Sequence, residues 1–152
     1  MRPQYPSFMK ELGAKSVHVK TFCEGMEDAL SRSGENAINF PAMILEPMNG
    51  RYTDNRVDNP LNIIRGGFSI VIPAEPTDSA AINAALDNSF AIGAMFIAKI
   101  NAEQSYALPD FDPDKVEWEE VGPVLDGCYG ILFTFPTVRA ASLEVEPNDW
   151  KE

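Results

Sequence analysis

The chain offers one histidine, His18, and the nearest cysteine, Cys23, as its first candidates for nucleophilic or acid–base chemistry. Any histidine-based triad or general base would have to use His18, because the chain contains no other histidine. On the single helix that we predict here, residues five apart point in different directions, so the pair would not meet. The sequence around Ser69 also lacks the second glycine of a nucleophile elbow. We therefore predict no catalytic residues and a protein that is not an enzyme.

Three alternating aspartates, Asp110, Asp112 and Asp114, have the spacing of oxygen ligands in a calcium-binding loop. An EF-hand loop also needs glycine at its sixth position and glutamate at its twelfth, where this chain has Lys115 and Val121. The EF-hand pattern fails at both positions, and a solvated acidic loop fits the stretch better. A looser cation site on these aspartates stays open as an alternative. We predict no bound metal and no cofactor.

Glu117, Glu119 and Glu120 could act as paired carboxylates in glycoside or phosphate chemistry. Val116 and Trp118 alternate with the first two of them, which is the pattern of a half-exposed strand. We interpret the glutamates as the solvated face of an edge strand, where charge also discourages unwanted strand addition.

A polar segment at 48–60 carries another group, Arg51, Tyr52 and Arg56, on an otherwise acidic protein. The segment is rich in Asn, Asp and Gly, which predicts a long hairpin loop that projects from the core. An aromatic ring beside guanidinium groups is typical of the anchors of protein interfaces. We predict a contact role for these three residues.

The net charge of −11 and the pI of about 4.4 limit the choice of partners. Residues 103–152 alone contribute −9, with three basic and twelve acidic side chains. Nucleic acid and anionic lipid would repel such a chain, so we predict neither sequence-specific nucleic-acid binding nor membrane binding. The longest uncharged apolar stretch, Phe90 to Ala98, is too short to span a bilayer. Cys23 and Cys128 fit no metal or redox spacing, so we expect free, buried thiols in a cytoplasmic protein.

These candidate residues must be positioned by elements organised around one apolar strand and the helix that follows it. Leu61 to Pro73 places apolar residues on both faces, which predicts a central strand. Asp78 is a candidate N-cap for an amphipathic helix at 79–100. The other predicted elements are a helix at 7–33, a strand pair at 39–73 that contains the loop at 48–60, a strand pair at 116–138 and a polar tail at 146–152.

The order of these elements predicts the class of fold. At 152 residues and 45% hydrophobic, the chain has enough apolar material for one domain, residues 1–152. Strand pairs that are joined by loops rather than by helices imply antiparallel pairing. We therefore predict an α+β fold, with an antiparallel four- to five-stranded sheet and two helices packed on one face.

The sequence has a helical start, the short strand FPAMILEP, a projecting loop, a long strand, one amphipathic helix and the closing strand CYGILFTFPTV. In this order the chain resembles the small tail-terminator and tail-completion proteins of tailed bacteriophages and prophages, over most of residues 8–145. The resemblance implies a structural subunit that forms a homo-oligomeric ring at the end of the tail tube and contacts other tail or neck proteins. It also implies a protein that is finally assembled in a virion. An acidic chain suits a duct through which DNA moves, because such a duct should not hold phosphates.

Two alternatives belong to other functional classes. The first is a small ligand- or metal-binding α+β domain, or a hydrolase, that uses Asp110, Asp112, Asp114 and Glu117. The second is an adaptor that recognises another protein through the loop at 48–60.

Overall fold

The computed structural model describes residues 5–54, 60–103, 108, 111–140, 147–149 and 151. Within these ranges the chain forms three α-helices and six β-strands. The helices are α1 (Tyr5–Lys15), α2 (Met26–Ser31) and α3 (Ser79–Ala102). The strands are β1 (Thr21–Cys23), β2 (Ala42–Leu45), β3 (Asn49–Thr53), β4 (Leu61–Pro73), β5 (Glu117–Val124) and β6 (Cys128–Ala140).

All six strands belong to one sheet with the order β1-β2-β4-β6-β5, and β3 pairs with β4 beyond the end of β2. Pairing is antiparallel except between β1 and β2, which run parallel. β4 and β6 pair over all 13 residues, from Leu61 opposite Ala140 to Pro73 opposite Cys128. This long ladder is the centre of the sheet. Among the described residues, β1, β3 and β5 each pair on one side only and form its edges.

β2 and β3 lie end to end along β4. Leu45 pairs with Phe68 and Asn49 with Arg65, so residues 46–48 stand opposite residues 66–67. This extra residue is a β-bulge, which bends the strand locally. On this side the long strand β4 therefore pairs with two short strands, β2 and β3.

α1 and α3 cover one face of the sheet. On this face the side chains of β4 and β6 include a stacked aromatic pair, with the ring centroids of Phe68 and Phe133 5.3 Å apart. α3 begins after Asp78, whose carboxylate accepts a hydrogen bond of 3.1 Å from the Ala81 amide. It approaches β6 closely at Gly93, where an added Cβ would overlap the Phe133 ring. The fully buried members of this core are Met9, Met43, Phe68, Ile70, Ile100 and Phe135.

α2 covers part of the opposite face of the sheet. The smaller core beneath it consists of Cys23, Ala29, Ala42, Ile44, Val71 and Cys128. Farther along this face, the first half of β4 and the second half of β6 keep Ile63, Arg65 and Val138 half-buried. The helices therefore cover more of one face of the sheet than of the other.

The single helix predicted at 7–33 is wrong. α1 ends at Lys15, and the Ser16 hydroxyl then accepts hydrogen bonds of 3.1 and 3.2 Å from the amides of His18 and Val19. This turn leads into β1, on which neighbouring side chains point to opposite faces. Phe22 accordingly packs against the core under α1, and Cys23 joins the core under α2. The apolar residues whose spacing suggested one helix are divided between two different cores.

The α+β class is confirmed, but the sheet is six-stranded and mixed rather than antiparallel with four or five strands. α1 and α3 share one face as predicted, and the third helix, α2, lies on the other. β1 is the reason for both differences. Two parallel strands need a crossover connection, and the segment that contains α2 crosses the second face to join β1 with β2.

Other predicted elements agree with the structure to different degrees. The strand at 61–73 and the helix at 79–100 are confirmed, and the helix continues to Ala102. The strand pair at 116–138 is confirmed as β5 and β6. The predicted loop at 48–60 is wrong over Asn49–Thr53, which forms β3, and residues 55–59 lie outside the described ranges. Within the predicted polar tail, residues 147–149 form a short 3₁₀ turn.

α3 is the one helix in the described ranges that is long and apolar enough to cross a membrane, by length and composition only. The core helix of a soluble protein passes the same test. Ile92, Phe96 and Ile100 of α3 are buried in the core against the sheet. Core packing therefore accounts for the apolar character of this side of the helix.

Candidate functional site

Two of the predicted contact residues, Arg51 and Tyr52, lie on strand β3 rather than in a loop. Among the described residues β3 pairs only with β4, so its other side is an open edge of the sheet. Both side chains are exposed, and Tyr52 retains 64% of its accessible surface. The third predicted contact residue, Arg56, lies outside the described residues. An open edge presents backbone amides and carbonyls to which another strand can bind.

Neighbouring residues of β3 point to opposite faces of the sheet. Gly50 and Tyr52 face the helix layer, where they border a cavity of about 740 Å³ that Tyr5 and Ile64 also line. Arg51 points to the other face and borders a separate cavity of about 400 Å³. The Tyr52 ring and the Arg51 guanidinium group therefore lie on opposite faces of the same edge strand.

The cavity beside Arg51 is locally basic. Three cations, Arg51, Arg65 and Lys115, border it. The Arg65 guanidinium donates to the Glu117 carboxylate at 2.8 Å and to the Thr134 hydroxyl at 3.4 Å. This corner contrasts with a chain whose net charge is −11.

β5 forms the opposite edge of the sheet and pairs only with β6 in the part of the chain that the structure describes. Glu117, Glu119 and Glu120 are all exposed, as the sequence predicted for an edge strand. Trp118 lies on the helix side and packs edge-on against Phe90, with ring centroids 5.1 Å apart. Trp118 nevertheless remains 54% exposed. This edge is thus acidic with an aromatic ring on one face.

His18 lies in the turn between α1 and β1 and is exposed. It borders a shallow cavity of about 280 Å³ together with Lys15, Met95 and Lys99. Cys23 is buried in the core on the other side of the sheet. The structure therefore does not bring His18 and Cys23 together as a base and a nucleophile.

The acidic stretch before β5 has a structural use. The Asp112 carboxylate accepts a hydrogen bond of 2.9 Å from the Asp114 amide and caps the 3₁₀ turn Pro113–Lys115. Asp110 lies outside the described residues. Among the residues that are described, no group of three His, Cys, Asp or Glu side chains could hold a metal ion.

The buried groups that could react lie in the two cores. Cys23 and Cys128 are free and buried, as predicted, and burial raises the pKa of both thiols. Thiols of this kind are inert, because the reactive species is the thiolate. Burial also raises the pKa of Tyr5, whose hydroxyl donates a hydrogen bond to the Gly67 carbonyl. All three groups are members of the two cores, although Tyr5 also borders the cavity of about 740 Å³ and Cys128 one of about 350 Å³.

Sequence reasoning missed the strand character of β3 and the exposed aromatic pair of Phe90 and Trp118. A signal for β3 was present in the length of β4, because the residues before the predicted loop, 39–47, are too few to pair with all 13 residues of β4 on one side. A signal for Trp118 was its position on a strand whose neighbours are nearly all charged. Both features lie on open edges of the sheet, β3 and β5.

Comparison with known protein families gives no match to this chain, and no curated protein matches it significantly. The features that bear on its function are the sheet edges at β3 and β5, their charges and the dispersed reactive groups.

Proposed function

We propose that this protein is a non-enzymatic assembly subunit that binds copies of itself and closes into a ring, like the phage tail-terminator and tail-completion proteins that its element order resembles. The observation that carries the proposal is a single sheet in which β3 and β5 leave open edges on opposite sides of the β4–β6 ladder, the first with exposed cationic and aromatic residues and the second acidic. Two different surfaces that bind each other make a heterologous contact. Repeated heterologous contacts close into a ring when the rotation between subunits allows it.

The charges favour contact between unlike edges. Two β5 edges would place Glu117, Glu119 and Glu120 of one copy against the same glutamates of another, and like charges on paired strands are destabilising. The β3 edge carries Arg51 instead and does not repel these carboxylates. The glutamates of β5 therefore discourage pairing with another acidic strand and allow pairing with a strand that carries a basic residue.

The scattered positions of the titratable groups support a structural role. His18 is exposed on one face of the molecule, and the thiol of Cys23 is buried on the other. Of the three alternating aspartates, Asp112 caps the 3₁₀ turn that contains Asp114. A catalytic site would instead need a nucleophile, a base and an orienting group within hydrogen-bond reach.

The acidic composition supports the phage-tail version of this proposal. A duct built from subunits with a net charge of −11 would repel DNA phosphates and let DNA pass. The partners are then other copies of the chain and the neighbouring tail or neck proteins. The subunit is cytoplasmic before assembly and belongs to the virion afterwards.

Sedimentation velocity of the purified chain over a wide range of concentration tests the proposal. We expect the monomer to give way to one larger species of fixed size, and negative-stain images of that species to show closed rings. A chain that stays monomeric at every concentration would contradict the proposal.

The same samples can identify the two alternatives. A monomer that binds another protein, and loses this binding on Tyr52→Ala, would be an adaptor. A saturable thermal shift with calcium or manganese that disappears on Asp112→Asn would indicate a cation-binding domain.

A further inference from the structure

We infer that the contact between neighbouring copies is strand addition, in which β3 of one subunit pairs antiparallel with β5 of the next and Tyr52 stands opposite Trp118. The inference rests on the proposed self-assembly and names the surfaces that would carry it. A continuous sheet would then run around the ring. The backbone groups of both open edges would be paired by it.

The two edges match in length. β3 contains five residues, Asn49–Thr53. β5 pairs regularly with β6 over Glu117–Val121 and then shifts register before Val124. The regular part of β5 therefore also has five residues, and strands of equal length can pair without overhang.

The two edges match in direction. β3 and β6 both run antiparallel to β4, and β5 runs antiparallel to β6. β3 and β5 of one subunit consequently run in opposite directions. Along the β4–β6 ladder Tyr52 lies level with Asn62, whereas Trp118 lies level with Phe68, six residues farther along β4. Copies related by a rotation axis to which the strands are tilted take up this stagger, as in a closed barrel. The strand directions are kept, so β3 would meet the neighbouring β5 in antiparallel orientation.

The two edges also match face by face. Tyr52 and Gly50 lie on the helix side of β3, and Trp118 and Glu120 lie on the helix side of β5. Arg51 lies on the other side, and so does Glu117, which pairs with Arg65 there. Glu119 is two residues from Glu117 on the same strand and therefore points to the same side. The rotation that aligns the strands therefore places aromatic rings beside each other on one face and opposite charges on the other.

One register satisfies both faces. With Tyr52 opposite Trp118, Arg51 stands directly opposite Glu119 and diagonal to Glu117. Aromatic pairs and opposite-charge pairs across antiparallel strands each stabilise the pairing. Tyr52 would also approach the Phe90 ring, which already contacts Trp118.

Neighbouring registers lose these contacts. A shift by one residue moves each side chain to the wrong face. A shift by two residues places Tyr52 opposite Glu120 or Val116 instead of Trp118. All five residues of β3 find partners within Glu117–Val121 only in the register that pairs the two aromatic rings.

Disulfide trapping tests the register directly. Residues directly opposite on antiparallel strands have Cα atoms about 4.5–5.5 Å apart, which suits a disulfide. The double variant Arg51→Cys with Glu119→Cys should form cross-linked multimers under mild oxidation. Arg51→Cys with Glu120→Cys is the matched control, because residue 120 points to the opposite face and should not cross-link. The native cysteines are buried and can remain.

Charge exchange gives an independent measurement on variants that are expected to fold, because Arg51 and Glu119 are both exposed. Arg51→Glu and Glu119→Arg should each raise the concentration for half-assembly by about tenfold or more, since each places like charges opposite one another. Combining the two substitutions should restore assembly. Lys10→Glu makes the same change in net charge on the exposed surface of α1 and should have little effect.

The possible outcomes separate this inference from the proposed function. Selective cross-linking together with restored assembly supports the pairing of β3 with β5. Rings that form in the wild type without selective cross-linking, or without rescue by charge exchange, overturn the pairing and leave ring assembly intact. A wild-type chain that never assembles overturns both.

Discussion

Single residues decide how closely the layers of this fold approach. Gly93 lets α3 lie against β6, because any side chain at this position would overlap the ring of Phe133. Phe133 in turn stacks on Phe68 in the main core. The packing of the longest helix therefore depends on the absence of one methyl group.

Gly93→Ala tests this dependence. We expect a loss of about 1–3 kcal/mol in the free energy of unfolding, the usual cost of forcing an extra carbon into a packed core. Urea denaturation of the variant and the wild type measures it. Gly25→Ala is the matched control, because the added Cβ would meet no atom within 4 Å. Equal stability of Gly93→Ala and the wild type would show that α3 can move away from β6 without cost.

Asp28 gives the fold a pH dependence. Its carboxylate accepts hydrogen bonds from the Glu24 amide at 2.9 Å and from the Arg32 guanidinium at 3.2 Å, and these lower its pKa. A carboxyl whose pKa is lower in the folded state stabilises the fold above its unfolded-state pKa. That stabilisation disappears as the pH falls through the folded-state pKa.

Asp28→Asn should therefore lower stability at neutral pH and not in strong acid. The carboxylate is partly exposed, so we expect a difference of at most about 1 kcal/mol at neutral pH. Urea denaturation of both proteins across the acid range measures the difference. A gap that stays constant down to the lowest pH would contradict this role of the charge.

At the scale of elements, apolar pattern predicted the centre of the molecule better than its edges. β4 and α3 were predicted within two residues, since both have long apolar sequences and α3 has a clear cap at Asp78. The helix predicted at 7–33 failed because a short edge strand and two short helices can show the same apolar spacing as one helix. Their separation depends on the turn at Ser16 and on pairing with β2, and neither follows from periodicity.

The candidate site was predicted in part. Arg51 and Tyr52 were correctly expected at the surface, but in a loop, because the surrounding Asn, Asp and Gly residues favour turns. Pairing with β4 overrides that local preference and makes an edge strand. The proximity of Trp118 to Phe90 could not be predicted, because it depends on how α3 crosses the sheet.

Trp118→Ala tests the role of the β5 edge. We expect the concentration for half-assembly to rise by about tenfold, because truncation of a central aromatic residue is among the most costly changes at an interface. The monomer should still fold, since Trp118 is 54% exposed. Met95→Ala, on the exposed side of α3 and 51% exposed, is the control. Sedimentation that is unchanged by Trp118→Ala would exclude this edge from the contact.

At the scale of the whole molecule, the net charge of −11 opposes self-association at long range. Screening shortens the reach of this repulsion, from about 30 Å at 0.01 M ionic strength to about 8 Å at 0.15 M. Close pairs that are buried in an interface are screened much less. Added salt therefore weakens the repulsion between whole subunits more than it weakens the charge pairs in the interface.

Assembly should consequently tighten as the ionic strength rises from about 0.01 M to about 0.15 M. Sedimentation velocity at a fixed protein concentration measures the assembled fraction. Weakening over this range would show that the charge pairs across the edges outweigh the repulsion between whole subunits.

A cryo-electron microscopy reconstruction of the assembled protein tests the central claim most directly, because it shows which strand lies beside β3. We predict a closed ring in which β5 of the neighbouring copy runs antiparallel to β3, with Trp118 opposite Tyr52. A ring in which β3 faces solvent would contradict the contact that we infer. A protein that yields only monomers would contradict assembly itself.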